Sequence, residues 1–239
     1  MQTGAFDKKV VLITGAAGGL ARAVVQAFAD GGASLALCDH NRERLGLLRS
    51  ELGLAPDRCH VHQADLNHLD QATEFAQAVV HAMGRIDVAV HLAGGFRMGA
   101  VHETSERDWN FLFDANVRSA FHLAHGVVPI MKAQGAGSII HIGSRAALHG
   151  DAGSGVYAAS KAALLRLTES LAAELLDSGV RVNAVLPSVI DTPANRAAMP
   201  AADAGRWVTP QSLADVILFL ASPAARDISG AAIPVYGRS

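Results

Sequence analysis

The chain has 239 residues, with 20 Lys plus Arg against 22 Asp plus Glu and a formal charge of −2. That length is ordinary for one doubly wound α/β domain built around a single large core. Without a long basic run, the charge pattern speaks against nucleic acid and anionic membrane surfaces and for a small-molecule partner.

Short β-branched apolar runs alternate with longer segments of helical period along the chain, the pattern of βαβ units around a parallel sheet. Strands are expected over Val10–Thr14, Ser34–Asp39, Cys59–Gln63, Ile86–His91, Ser138–Gly143, Val180–Leu186 and Ala232–Val235. Helices are expected over Gly19–Asp30, Arg42–Leu52, Leu69–Met83, Glu106–Ala133, Ser154–Asp177 and Pro210–Ala221. The fold class is therefore α/β, a Rossmann-type, seven-stranded parallel sheet with helices on both faces, in one domain spanning residues 1–239. Pro187–Thr209, rich in Ala and Pro, reads as an irregular substrate loop or lid.

Cys38 and Cys59 form neither a disulfide framework nor a CxxC pair, so a reducing, cytoplasmic setting is expected. Met1–Lys9 is short and mixed in polarity, and no apolar run reaches the roughly 18 residues of a membrane span, so no leader or anchor is expected. Among eleven histidines, the pairs His60/His62 and His122/His125 bring no third ligand, so no metal site is expected.

After the first strand, Thr14-Gly15-Ala16-Ala17-Gly18-Gly19-Leu20-Ala21 leads into a helix. Small residues there let backbone approach a pyrophosphate, and the helix N-terminus offers free N–H groups and a positive dipole end. A tight turn needs glycine without any ligand as well. Asp39, about 20 residues further at the end of the second strand, strengthens the nucleotide reading, because a carboxylate there accepts from ribose hydroxyls.

On these residues the sequence resembles the short-chain dehydrogenase/reductase family, whose turn is written TGxxxGxG; Gly15 and Gly19 match, and Ala21 replaces the last glycine. The resemblance implies that Thr14, Gly15, Ala17, Gly19 and Leu20 cradle the cofactor, with Asp65 and Leu66 beside the adenine. His91-Leu92-Ala93-Gly94 stands where the family shows NNAG. Ala93 and Gly94 keep the space for the cofactor, and the loss of both asparagines removes hydrogen bonds the family makes there. After the sixth strand, Pro187-Ser188-Val189-Ile190-Asp191-Thr192 resembles PGxxxT, which places Pro187, Ile190 and Thr192 at the nicotinamide carboxamide.

The family's catalytic set is present in order: Asn116, Ser144, Tyr157 and Lys161, the last two as Tyr157-Ala158-Ala159-Ser160-Lys161. Positions i and i+4 share a helix face, so Lys161 can approach Tyr157. A unit charge at ~4 Å and an effective dielectric near 20 is worth about 4 kcal/mol, which would bring a phenol of pKa near 10 close to neutrality. The resemblance makes Tyr157 the general acid/base, Ser144 the hydrogen-bonding partner of the substrate oxygen, Lys161 a further ligand of the nicotinamide ribose, and Asn116 the holder of a water in a proton relay.

The expected activity is hydride transfer between nicotinamide and a secondary alcohol or ketone, with NAD(H) preferred over NADP(H): Asp39 repels a 2′-phosphate, and Arg42, the only near cation, is expected to point to solvent from the start of the next helix. Asp191–Trp207 also resembles dihydropteridine reductase of the same superfamily, which leaves an NADH-dependent pteridine or quinonoid reductase open. That relative lacks a catalytic serine, whereas Ser144 is present in this chain. A non-catalytic NAD(H)-binding regulator is a further alternative, one with no use for an intact acid/base set. Phe96, Ala146, His149, Asn195 and Trp207 are the expected substrate-lining residues, a mostly apolar set. Arg97 and Arg145 are expected to be solvated arginines, with contact to an acidic substrate as the alternative. The resemblance also implies a homo-oligomer, tetramer or dimer, that pairs the helices carrying Asn116 and Tyr157.

Overall fold

In a computed structural model of the chain, residues 4–238 are described; Met1–Thr3, part of the stretch expected to carry no leader, lie outside them. Seven strands form one sheet: β1 Val10–Thr14, β2 Ser34–Asp39, β3 Cys59–Gln63, β4 Val88–His91, β5 Gly137–Ile142, β6 Val180–Pro187 and β7 Ala232–Val235. Their order is β3-β2-β1-β4-β5-β6-β7, and each neighbouring pair is parallel. The helices are α1 Ala21–Asp30, α2 Arg42–Glu51, α3 Leu69–Met83, α4 Glu106–Phe113, α5 Ser119–Gln134, α6 Gly155–Glu174, α7 Pro193–Ala198 and α8 Pro210–Ala221.

The two-residue repeat of a strand sends alternate side chains to opposite faces, and both faces are covered. Val11, Ile13, Leu35 and Leu37 pack with Val24 and Phe28 of α1 and with Leu213 and Ile217 of α8. On the other face Leu12, Ala36, Ala89 and Ile139 pack with Phe75 and Val79 of α3 and with Leu123 and Val127 of α5. No described helix is long and apolar enough to cross a membrane.

Three expectations are corrected. The strand expected from Ile86 starts at Val88 because Asp87 is tied down just before it, accepting from Lys9 Nζ (3.0 Å), Arg85 (2.7 Å) and the Val10 amide (3.0 Å). The single helix expected over Glu106–Ala133 is interrupted by a π-helical turn at Asp114–Arg118, a local insertion that turns Asn116 inward. Pro187–Thr209 is not wholly irregular: Thr192 caps α7 by accepting from the Asn195 amide, and Pro193 opens that helix. Capping and an N1 proline start a helix even in an Ala/Pro-rich stretch. Ile190 and Val208 then bridge in parallel, closing the segment on itself.

Candidate active site

Strand order reverses between β1 and β4, and in doubly wound sheets ligands bind in the crevice beyond the carboxyl ends of strands at such a point. The glycine turn sits there. Gly15 has φ +63°, and a Cβ on it would run into the Ala93 backbone, so the turn and the segment after β4 close on each other only through glycine. A Cβ on Gly19 would meet Thr192 Cγ2 at 3.0 Å, which brings the residue proposed for the carboxamide against the turn. Ala21 is 1 % exposed and is the first residue of α1, so its methyl simply joins the packed core. Leu20 is also buried.

A cavity of about 440 Å³ opens here, lined by Gly15, Ala17, Asp39, Asp65, Leu66, Ala93 and Gly94 from the expected set. The residues fit a dinucleotide. The amides of Gly19 and Leu20 make no backbone hydrogen bond among the described residues, and Thr14 Oγ1 is buried without a partner. Asp39 is held rigidly: Oδ2 accepts from the Ala17 amide (3.1 Å), and Oδ1 accepts from the Asn41 amide (3.0 Å) with His40 Nδ1 at 3.1 Å. Asp65 Oδ1 accepts from the Asn67 amide, a turn that leaves its other oxygen facing His68 at 3.8 Å. The cation on this cavity is Arg44, not Arg42. At 100° per residue the two lie roughly 200° apart around α2, so Arg42 is exposed as expected, and Arg44 is the cation that the sequence reading missed. Phe111, Ala115 and Ser119 also line the cavity; nothing local in the sequence marks them, because the π turn sets their facing.

At the other end stand the acid/base candidates. Ser144 follows β5, and its Oγ accepts from the Ala146 amide (3.2 Å). Tyr157 and Lys161 rise from the first turns of α6. Lys161 Nζ is buried and donates to the Ile142 carbonyl at 2.8 Å; burial lowers its pKa to about 8. Burial raises the Tyr157 phenol, with the Ser144 hydroxyl beside it pulling the other way. The expected descent of Tyr157 to neutrality under Lys161 is thus corrected: loss of water around the phenol pushes its pKa up, and the ammonium is turned to a carbonyl.

Asn116 is tied into the protein on three sides. Its Oδ1 accepts from the Gly95 amide (3.0 Å), and Nδ2 donates to the Gly95 carbonyl (2.9 Å) and to Ser160 Oγ (3.0 Å). Ser160 in turn donates to the Tyr157 carbonyl (2.7 Å). With both Nδ2 protons spent on protein, the side chain braces the segment after β4 against the Tyr157 turn.

Of the expected substrate residues, Phe96 stands edge-to-face on Tyr157 at 4.8 Å, Ala146 adjoins Ser144, and His149 is exposed. Asn195 instead donates to the Ile190 carbonyl (2.8 Å), and Trp207 is buried at 8 % exposure, so both serve to hold the Pro187–Thr209 segment together. Met98, missed from sequence, lines a small cleft with Val156 and Tyr157. Arg97 lies 4.3 Å over Phe111 and pairs loosely with Asp108, and the Arg145 guanidinium sits 5.9 Å from the Tyr236 ring. Among the described residues no group of three or more His, Cys, Asp or Glu side chains could hold a metal ion.

The sheet order, the glycine turn at its reversal and a Ser-Tyr-Lys cluster opposite define a nucleotide-binding oxidoreductase. The description "short chain dehydrogenase" matches residues 9–203, and the chain belongs to that family of nicotinamide-dependent oxidoreductases. It is 36 % identical over 240 residues to the 3-oxoacyl-(acyl-carrier-protein) reductase FabG of Thermotoga maritima, covering 97 % of this chain and 98 % of that one. It is 34 % identical over 241 residues to D-threitol dehydrogenase of Mycolicibacterium smegmatis, covering 97 % and 93 %. An NAD+-bound xylitol dehydrogenase structure superposes with a TM-score of 0.89 at 25 % identity, covering 97 % and 99 %.

Proposed function

We propose that the protein transfers hydride between NAD(H) and a secondary alcohol or its ketone, with Tyr157 as the proton-transferring group. The observation that carries this is the placement of Ser144 beside a half-buried Tyr157 whose helix also carries Lys161, the last close to Gly94 of the nucleotide cavity. Bound NADH would supply the hydride. Thr14, Gly15, Ala17, Gly19 and Leu20 would hold the pyrophosphate end, Asp39, Asp65 and Leu66 the adenosine, and Ala93, Gly94, Pro187, Ile190 and Thr192 the nicotinamide end. Ser144 orients the substrate oxygen; Tyr157 gives its proton to that oxygen in reduction and takes it back in oxidation. Lys161 stabilises the phenolate left behind.

Ser144 favours an alcohol/ketone couple over a pteridine, and the exposed Phe96 and Met98 beside Tyr157 suit a substrate with an apolar flank. D-threitol dehydrogenase and the xylitol dehydrogenase are named for alcohols, which supports the same reading. The half-exposed Trp109 and Phe121 on α4 and α5 support pairing of that face with a second copy.

The test is NADH consumption against a panel of ketones and quinonoid dihydropterin across pH. Reduction requires the Tyr157 proton, which burial keeps in place, and the Lys161 charge, which is lost above about pH 8. Ketone turnover should therefore hold level below about pH 8 and fall above it. Turnover of the dihydropterin alone would overturn the substrate class.

The Pro187–Thr209 segment is expected to act as a lid. Apart from Trp207, Val208 and Thr192 it is half-buried or exposed from residue 188 onward, so its amides should exchange faster than those of β1 to β6 and slow when NADH binds. Equal hydrogen exchange with and without NADH would remove the lid role.

A further inference from the structure

Phe96 is large, apolar and 52 % exposed, and it packs in none of the core clusters of the described residues. Among those residues its ring meets one other, Tyr157, edge-to-face at a centroid distance of 4.8 Å. The exposed ring is nonetheless carried on anchored backbone. The Gly95 amide donates to Asn116 Oδ1 (3.0 Å), and the Gly95 carbonyl, part of the peptide bond into Phe96, accepts from Asn116 Nδ2 (2.9 Å). A Cβ on Gly95 would lie 2.5 Å from Phe111 Cζ, so the Phe111 ring is pressed against that α-carbon. On the other side the Phe96 carbonyl accepts from the Arg97 guanidinium (2.9 Å), which lies 4.3 Å over the Phe111 ring. Further on, the Gly99 amide donates to the Gly153 carbonyl (2.8 Å) shortly before α6 begins.

Tyr157 is held at its backbone and at its tip. Ser160 Oγ donates to the Tyr157 carbonyl (2.7 Å) and accepts from Asn116 Nδ2 (3.0 Å), so the amide that grips Gly95 also sets the turn of α6 from which the phenol rises. At the far end the Ser144 hydroxyl hydrogen-bonds the phenol. Neither contact fixes the ring between them. A tyrosine keeps two side-chain torsions, and a proton-transferring group has to be held within about 0.5 Å and about 10–20° of its working geometry. Aromatic quadrupoles favour an edge-to-face meeting, and Phe96 supplies one from a segment outside α6. An alkyl side chain of similar bulk would fill the same space without that preference of direction.

We propose that Phe96 is a positioning residue for Tyr157: its ring, anchored through Gly95 and Arg97, holds the phenol at one tilt beside Ser144. The consequence for turnover rests on the proposed proton transfer by Tyr157, but the hold on the ring can be read without any substrate.

The experiment is NMR of the cofactor-free protein labelled with 13C in phenylalanine and tyrosine, joined to steady-state kinetics. The chain has two tyrosines, so the Tyr157 signals are those lost in Tyr157→Phe. In the wild type, Phe96 and Tyr157 ring protons should show cross-peaks, and the three-bond couplings of Tyr157 should report a single χ1 rotamer. In Phe96→Leu that rotamer should average, and kcat for the ketone that the wild type reduces best should fall about tenfold with KM little changed. Phe96→Tyr, which restores a ring edge, should return both the single rotamer and the turnover. A ring that merely lined the substrate would raise KM, would be replaced well by leucine and would leave the Tyr157 rotamer alone. The proposal is overturned by the absence of Phe96 to Tyr157 cross-peaks in the wild type, by an unchanged Tyr157 rotamer in Phe96→Leu, or by a raised KM at unchanged kcat. The wild-type spectra decide the matter even if the Leu variant does not fold. A Tyr157 rotamer freed by Phe96→Leu in a protein that reduces no ketone would uphold this inference and defeat the proposed activity.

Discussion

Tyr157→Phe is expected to bind NADH as the wild type does and to turn over slower by about 10² or more. The ring keeps its edge-to-face contact with Phe96, and the backbone stays pinned through the Tyr157 carbonyl and Ser160. Only the hydroxyl beside Ser144 is lost, so binding and chemistry should separate. Steady-state turnover and NADH titration of the variant give the two numbers. A variant retaining most of its activity on every substrate would remove Tyr157 from proton transfer.

NAD(H) should bind more tightly than NADP(H), by on the order of 30- to 1000-fold, from a like-charge clash worth about 2 to 4 kcal/mol in a partly solvated site. The Asp39 carboxylate cannot swing away from a 2′-phosphate, because the amides of Ala17 and Asn41 hold both of its oxygens. Arg44, on the same cavity, is the residue that would receive a phosphate once the carboxylate is gone. Asp39→Ala should therefore narrow the gap, and Asp39→Ala with Arg44→Ala should lower the NADP(H) affinity again. Thermal shift with each reduced cofactor at equal concentration reads the order, since the tighter ligand stabilises more. Equal shifts in the wild type, or a larger one with NADPH, would overturn the role of Asp39.

Local signals carried the fold. Leu69–Met83 and Pro210–Ala221 begin and end where expected because their boundaries are written in the chain: Gly84 ends the first at φ +81°, and Thr209-Pro210 caps and opens the second. Thr192-Pro193 carried the same kind of signal within the expected loop. The π turn was not legible, because what holds Asn116 inward is Gly95, 21 residues away. The order of the Ser-Tyr-Lys set could be read along the chain, but the state of each group could not. Whether a phenol is acidified by a lysine or raised by burial depends on what surrounds both, and the Ile142 carbonyl that takes the Lys161 ammonium comes from a strand well separated from it along the chain. Arg44 shows the limit on a smaller scale, since two residues along a helix decide which side faces the cavity.

The most direct measurement is transfer of label. Incubating the protein with NADH deuterated on either face of nicotinamide carbon four and a mixture of ketones should place one deuterium on the carbinol carbon of a product alcohol, from one face only, and Tyr157→Phe should slow that transfer by about 10² or more. NADH that binds and protects the Pro187–Thr209 segment, yet passes deuterium to no ketone in the mixture, would contradict the account and leave a cofactor-binding protein without this chemistry.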